Sequence, residues 1–250
     1  MFTTEQRDYV RDRVLDLARR DPRVTAGALT GSTAVGAEDE WSDVDVAFGI
    51  ADGITPEAVL DDWTEVLSRE LGALHHWDLR SGSSVYRVFL LPSGLEVDIG
   101  VSPQKEFGAR GPRFRTLFGT PSHVEPLPPP DPHHIVGLGW HHVLHARSCI
   151  ERSKSWQAEY WISAVRDYTL TLACIRLGEE SSYARGFHRL PATVTGPLAE
   201  ALVRSLEEAE LRRALGVAAA CFISEVDALD PTLCARLEPL LQEFGLTPDP

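Results

Sequence analysis

The sequence predicts an α+β fold: a small domain built on a mixed sheet, followed by an α-helical domain. Strand and helix patterns alternate in the first half, whereas the second half shows only helical periodicity. The two patterns meet at a proline-rich segment. Its five prolines in residues 126–132 cannot continue a helix or a central strand. We therefore predict one domain at residues 1–125 and a second at 126–250.

The first domain is predicted from capping, alternation and turn signals. Thr3 and Gln6 form a capping-box pattern, and Val44, Val46 and Phe48 alternate with polar residues on a strand. The predicted elements are a helix from Thr3 to Asp21-Pro22, strands at 24–29 and 43–48, a helix from Thr55-Pro56, and strands at 84–91 and 95–101 joined by Pro92-Ser93-Gly94.

The second domain is predicted as a helical bundle. Apolar residues recur at helical spacing over long stretches, and Gly178 is a typical stop for one of them. The predicted helices are residues 134–152, 156–177, 197–211, 214–229 and 233–244.

Composition excludes several classes of protein. The 250 residues are 43% hydrophobic and 24% charged, which is ordinary for a globular protein. The sequence has no uncharged apolar run long enough to span a membrane and no secretory signal pattern at residue 1, so a cytoplasmic protein is expected. A net charge of −13 without a basic cluster argues against nucleic-acid binding and suits small cationic partners. The oligomeric state stays open.

The residues that carry chemistry begin with Gly31-Ser32 and with Asp43-Val44-Asp45. Gly31 permits a tight turn after a strand and lets a phosphate approach the backbone. Ser32 adds a hydroxyl and an N–H donor. Asp43 and Asp45 are two residues apart on a predicted strand, so both carboxylates face the same side. Such a pair needs a cation, and hard oxygen ligands with open positions favour Mg²⁺.

A second acidic strand follows at Leu95-Glu96-Val97-Asp98-Ile99. Alternation places Glu96 and Asp98 on one face. If this strand lies beside residues 43–48, Asp98 completes a metal site with Asp43 and Asp45. Glu96 would then be available as a general base or as a further ligand.

These residues resemble the nucleotidyltransferase superfamily, the group of DNA polymerase beta. Its pattern is a Gly-Ser turn, an acidic-x-acidic strand about ten residues later, and a third acidic strand residue, which match Gly31-Ser32, Asp43-x-Asp45 and Asp98. A small catalytic domain followed by helices resembles the bacterial adenylyltransferases that act on aminoglycosides or lincosamides, a group associated with antibiotic resistance. Residues 177–191 are similar to a turn in the streptomycin/spectinomycin members.

The resemblance implies an Mg²⁺-dependent adenylyltransferase. ATP would bind with Mg²⁺, expected as two ions, held by Asp43, Asp45 and Asp98, with Gly31 and Ser32 at the phosphates. A hydroxyl of a small cationic acceptor such as an aminoglycoside would take AMP and release pyrophosphate. The alternative is an antitoxin-like nucleotidyltransferase module that modifies or binds a protein partner.

The resemblance leaves the general base open between two places. In the streptomycin-type enzymes the base is on the third acidic strand, which here is Glu96. Other members carry it on the helical domain, where Glu151 and Glu159 are the candidates. Trp161 and Arg166 follow on the same predicted helix as Glu159 and are further candidates for substrate binding.

Overall fold

A computed structural model describes residues 1–126 and 128–245, and the side chains up to residue 243. Leu127 in the predicted proline segment and the last five residues of the predicted second domain lie outside the described residues. The chain divides between residues 128 and 129 into two compact units. The predicted α+β fold is confirmed: the first unit carries a six-stranded mixed sheet and the second consists of helices. No helix in the described ranges is long and apolar enough to cross a membrane.

The first unit places helices on one side of its sheet. Helix α1 begins at the predicted capping box of Thr3 and Gln6, and α3 begins at N-cap Thr55. The elements are α1 (Thr4–Arg20), β1 (Val24–Thr30), α2 (Gly31–Ala34), β2 (Val44–Ile50), α3 (Pro56–Leu71), β3 (His75–Ser81), β4 (Ser84–Leu90), β5 (Glu96–Pro103) and β6 (Phe114–Phe118).

The strand order β3-β4-β5-β2-β1-β6 places the two acidic strands side by side at the centre of the sheet. Strands β2 and β5 run parallel, while every other neighbouring pair in this order is antiparallel. The edge strands β3 and β6 have no counterpart among the predicted strands. Asp43, predicted within a strand, lies one residue before β2.

The two faces of the sheet differ in character. One face packs on α1 and α3 through a large apolar core that includes Val46, Phe48, Ile99 and Trp63. The other face carries only a small apolar cluster of Ala26, Ala28 and Phe107, with Ala47 and Phe114 packed against it. The polar residues of β2 and β5 share this second face, because their neighbours along each strand belong to the large core.

The second unit consists of five helices and two short 3₁₀ turns in its described part. Gly178 ends the second helix in the left-handed conformation, as predicted. The helices are α4 (Pro132–Glu151), α5 (Ser155–Leu177), α6 (Ala192–Ala199), α7 (Glu208–Leu229) and α8 (Pro231–Gly245).

The helix predicted at 197–211 is wrong. Helix α6 ends at Ala199, and α7 begins only at Glu208. The Arg213 guanidinium donates hydrogen bonds to the carbonyl oxygens of Glu200, at 2.6 Å, and Leu202, at 3.0 Å. These carbonyls are therefore satisfied by a side chain instead of by a continued helix, so the chain bends here.

Candidate active site

Asp45 and Asp98 occupy paired positions on the two central parallel strands. In the β2–β5 register, Asp45 is opposite Asp98, and their neighbours Val46 and Ile99 are also paired. Adjacent strands are about 4.8 Å apart. Because Val46 and Ile99 point into the large core, the two carboxylates project from the opposite face. A parallel register thus brings together two acidic residues 53 positions apart in the sequence.

Gly31 lies directly against the Asp45 carboxylate. The residue has φ of +61°, in the left-handed region that favours glycine. A Cβ built on Gly31 would lie 1.8 Å from Oδ2 of Asp45. No side chain fits at this position while Asp45 keeps its place. The turn after β1 and the carboxylate on β2 are therefore in direct contact.

The Asp98 carboxylate is surrounded by like charges. Burial, followed by the negative charges of Glu96 and Asp43, raises the pKa of Asp98 to about 6. Oδ1 of Asp98 is buried and accepts no hydrogen bond from any residue that the structure describes. Glu96 is exposed at the start of β5, on the same face. Glu96 and Asp43 are thus both close enough to Asp98 to repel its negative charge.

Ser32 is connected to the residue that precedes Asp43. Its hydroxyl donates to the hydroxyl oxygen of Ser42, at 3.2 Å. Ser42 in turn contacts Asp39, accepting from the backbone N–H at 2.9 Å and donating to Oδ1 at 3.1 Å. The Gly31-Ser32 turn and the approach to Asp43 are joined by these contacts.

The donor set fits a divalent cation that is completed by other ligands. Within residues 1–126 and 128–245 there is no group of three or more His, Cys, Asp or Glu side chains arranged to hold a metal ion by themselves. Mg²⁺, however, binds proteins through one or two carboxylates and takes its other oxygens from water and substrate phosphates. The buried Asp98 oxygen without a hydrogen-bond partner and the repulsion around it are what a cation at this place would relieve.

Tyr86 belongs to the same face and was missed by sequence reasoning. Burial and then the Asp98 charge raise the pKa of the Tyr86 phenol, whereas Arg110 acts in the opposite direction. Tyr86 is paired with Gly100 in the β4–β5 ladder, and a Cβ on Gly100 would lie 2.9 Å from the Tyr86 ring. Alternation along residues 84–90 signals this placement, because Val85, Arg87 and Phe89 take the other face.

Of the predicted candidates on the helical unit, Glu159 and Arg166 lie together. The Ser163 hydroxyl donates to Oε1 of Glu159 at 2.6 Å, and Arg166 donates to the same hydroxyl at 3.2 Å. Glu151 has a different partner: the exposed carboxylate accepts from Arg212 at 2.9 Å. Glu151 is therefore engaged in a surface ion pair at the end of α4.

Trp161 packs within a group of histidines on α4. Its ring lies 4.5 Å from the ring centre of His142 and 5.1 Å from that of His145, against which it stacks. The indole Nε1 is buried and finds no acceptor within the described chain. By contrast, Trp156 and Tyr160 on the same helix as Trp161 are exposed.

Comparisons with known proteins assign no role to these residues. No protein-family model and no curated protein matches this sequence. Among solved structures, an aminoglycoside 6-adenyltransferase from Bacillus subtilis is similar to this chain with a TM-score of 0.44 and 14% sequence identity. The similarity covers 99% of this chain and all of the other.

Proposed function

We propose that this protein is a nucleotidyltransferase that moves AMP from ATP onto a hydroxyl group of a small cationic acceptor, such as an aminoglycoside. The observation that carries the proposal is the Asp45–Asp98 pair on parallel strands, packed against the Gly31 turn, with an Asp98 oxygen that no described residue satisfies. A turn of this kind approaches phosphates closely, and adjacent carboxylates bind the cation that accompanies them.

The residues divide into three roles. Asp43, Asp45 and Asp98 would hold Mg²⁺, which neutralises charge on the phosphates when bound. Gly31 and Ser32 offer backbone N–H and hydroxyl donors to the phosphate oxygens. Glu96, exposed beside Asp98, accepts the proton of the acceptor hydroxyl. The oxygen of that hydroxyl forms a bond to the α-phosphorus, the bond from that phosphorus to the bridging oxygen breaks, and pyrophosphate leaves.

The choice of a cationic acceptor rests on charge. The chain has 37 acidic and 24 basic side chains, and the segment that leads to Asp43 carries Glu38, Asp39 and Glu40. Each of these is exposed. An acidic surface around a site raises the local concentration of a cationic substrate.

A pyrophosphate-release screen tests the proposal. The protein is incubated with ATP, Mg²⁺ and a panel of aminoglycosides, lincosamides and other hydroxyl compounds. We expect release with at least one cationic acceptor, and we expect that release to fall by about 10²–10³-fold in Asp45→Asn. Asp52→Asn, an exposed aspartate just beyond β2, is the matched control. Activity that survives in Asp45→Asn contradicts the assignment. Transfer of AMP to a protein and to no small acceptor favours the antitoxin-like alternative.

The general base is tested by glutamine substitutions at three glutamates. We expect Glu96→Gln to lower turnover by about 10²–10⁴-fold while ATP·Mg²⁺ binding is kept. Glu151→Gln and Glu159→Gln are the controls on the helical unit. An inactive control beside an active Glu96→Gln enzyme would move the base to the helices.

A further inference from the structure

The loop between α2 and β2 joins the two chemical parts of the candidate site. It begins just after the Gly31-Ser32 turn and ends at Asp43. Residues 35–41 are all exposed, so solvent contact alone would leave this loop the least constrained part of the site. Its ends determine where Ser32 and Asp43 lie relative to each other.

Internal hydrogen bonds hold the second half of this loop. The Trp41 backbone N–H donates to Oδ1 of Asp39 at 2.9 Å. The Asp39 backbone N–H donates to the Ser42 hydroxyl oxygen, also at 2.9 Å. The Ser32 hydroxyl donates to the same Ser42 oxygen. Asp39 is therefore linked through Ser42 to Ser32 at the start of the loop and to Asp43 at its end.

Arg7 fixes Asp39 from outside the loop. It lies on α1 and is only 4% exposed. Its Nη1 donates a hydrogen bond to the Asp39 carbonyl oxygen. Nη2 lies 3.4 Å from Oδ1 of Asp8 and 4.0 Å from Oε1 of Glu38. The guanidinium thus binds the backbone of the loop and faces two carboxylates at the same time.

We propose that Arg7 is a positioning residue of the nucleotide site: it holds the loop at Asp39 and thereby sets Ser32 and Asp43 for phosphate and metal binding. This inference rests on the proposed function and adds to it a residue that touches neither substrate nor metal.

The hydrogen bonding of Arg7 favours positioning over stability. Its Nε is buried and has no partner among the residues described. A buried guanidinium with an unsatisfied donor costs free energy relative to an apolar side chain of similar size. The hydrogen bond that Nη1 of Arg7 donates is accepted by the Asp39 carbonyl oxygen, which belongs to the loop that enters the site.

Amide hydrogen exchange on the intact protein tests the anchoring directly. We expect Arg7→Met to speed exchange in residues 36–43 by about tenfold or more while β2 and β5 keep their protection. Arg7→Lys keeps the positive charge but lacks the planar fork, so we expect an intermediate effect. The matched control is Arg13→Met, which removes an α1 arginine that binds Glu70 instead of the loop.

Calorimetric titration with ATP·Mg²⁺ tests the consequence. We expect binding to weaken by about 10–100-fold in Arg7→Met, in line with losses of groups that orient metal ligands, and to change less than twofold in Arg13→Met. Should Arg7→Met be too unstable, Ser42→Ala breaks the same connection from within the loop and is expected to weaken binding similarly.

The outcomes separate this inference from the proposed function. Unchanged loop exchange in Arg7→Met overturns the positioning role, and so does loosened exchange with unchanged ATP·Mg²⁺ affinity. In both cases the proposed function stands if the wild-type protein binds and transfers. A wild-type protein that does not bind ATP·Mg²⁺ overturns the proposed function and with it this role, even if the loop loosens as expected.

Discussion

Arg87 on β4 and Asp98 on β5 are charged side chains on adjacent strands, but they project from opposite faces of the sheet. Arg87 is 5% exposed and is surrounded by matching partners: Nε lies 2.6 Å and Nη2 2.8 Å from the Asp78 carboxylate, and Nη1 lies 2.9 Å from Asp61. The hydrogen bonds from Arg87 hold the pKa of Asp78 below its usual range. Asp98 lies near the acidic side chains of Glu96 and Asp43, and burial together with their charges raises its pKa.

Arg87 is a buried charge that is paired within the fold, whereas Asp98 is a buried charge that lacks a hydrogen-bond donor among the described residues. Arg87 joins β4 to β3 and α3, and its guanidinium is paired with carboxylates of this chain. Asp98 has a buried oxygen without a donor among the described residues, next to two further carboxylates. Buried charges are ordinarily paired or bound to metals. The cation of the proposed function would supply such a partner to Asp98.

The largest effect on the free energy of unfolding is expected from removing the Arg87 guanidinium. Arg87→Met leaves the Asp78 carboxylate without its main partner, so we expect the free energy of unfolding to fall by about 3–5 kcal/mol. Urea unfolding at pH 7 measures this, with Arg80→Met as the control, because Arg80 is an exposed arginine on the neighbouring strand β3, two residues after Asp78. A loss under about 1 kcal/mol in Arg87→Met would show that the two sides do not differ as described.

The unsatisfied side is expected to respond with the opposite sign. The folded pKa of Asp98, about 6, lies above its ordinary 3.8, so the folded protein binds this proton more tightly. Ionised Asp98 therefore destabilises the fold above about pH 6, and stability decreases as pH rises from about 4 to 6. We expect Asp98→Asn to raise the free energy of unfolding by about 1–3 kcal/mol at pH 8 without metal.

Urea unfolding of Asp98→Asn and wild-type protein in parallel, at pH 8 and at pH 4, measures this difference. The gain should disappear at pH 4, where wild-type Asp98 is protonated in the folded protein. An Asp98→Asn protein that is destabilised at pH 8 would show that the carboxylate is satisfied within the fold.

The smallest effect concerns the metal itself. At a Mg²⁺ concentration ten times the dissociation constant, binding stabilises a folded protein by about 1.4 kcal/mol. We expect this increase in wild-type protein and in Arg87→Lys, and its absence in Asp98→Asn. Thermal unfolding with and without Mg²⁺ checks it. An equal response in Asp98→Asn would place the ion elsewhere.

The core positions of the two acidic strands could be predicted from the sequence, whereas the pairing of these strands was only a condition of the predicted metal site. Alternation in residues 43–48 and 95–101 separates the core positions, such as Val46 and Ile99, from Asp45 and Asp98. Edge strands were less accessible: β3 alternates only weakly, with exposed Trp77 and Leu79 on one face. Residues 197–211, wrongly predicted as one helix, have a composition that suits a helix. Their conformation is instead determined by the hydrogen bonds that Arg213 donates to the carbonyl oxygens of Glu200 and Leu202.

The residues that hold the candidate site in place could not be predicted from the sequence. Nothing local marks Arg7 among the arginines of α1, since its burial depends on a loop more than thirty residues away. Ser42 looks like an ordinary turn residue until Ser32 and Asp39 are brought beside it. Motifs identify the residues that do chemistry, because the chemistry restricts their type, whereas the residues that hold them are determined by tertiary structure.

The contact between Gly31 and Asp45 makes the two positions epistatic. A side chain at Gly31 is disfavoured by its left-handed backbone and is excluded by the Asp45 carboxylate, which lies 1.8 Å from where a Cβ would be. Replacing Asp45 by a smaller residue would lift the second restriction but not the first. A lineage that lost the acidic residue would therefore tolerate asparagine or aspartate, the residues that best accept this backbone, at position 31. Mutational drift at the glycine would then follow, rather than precede, loss of the carboxylate.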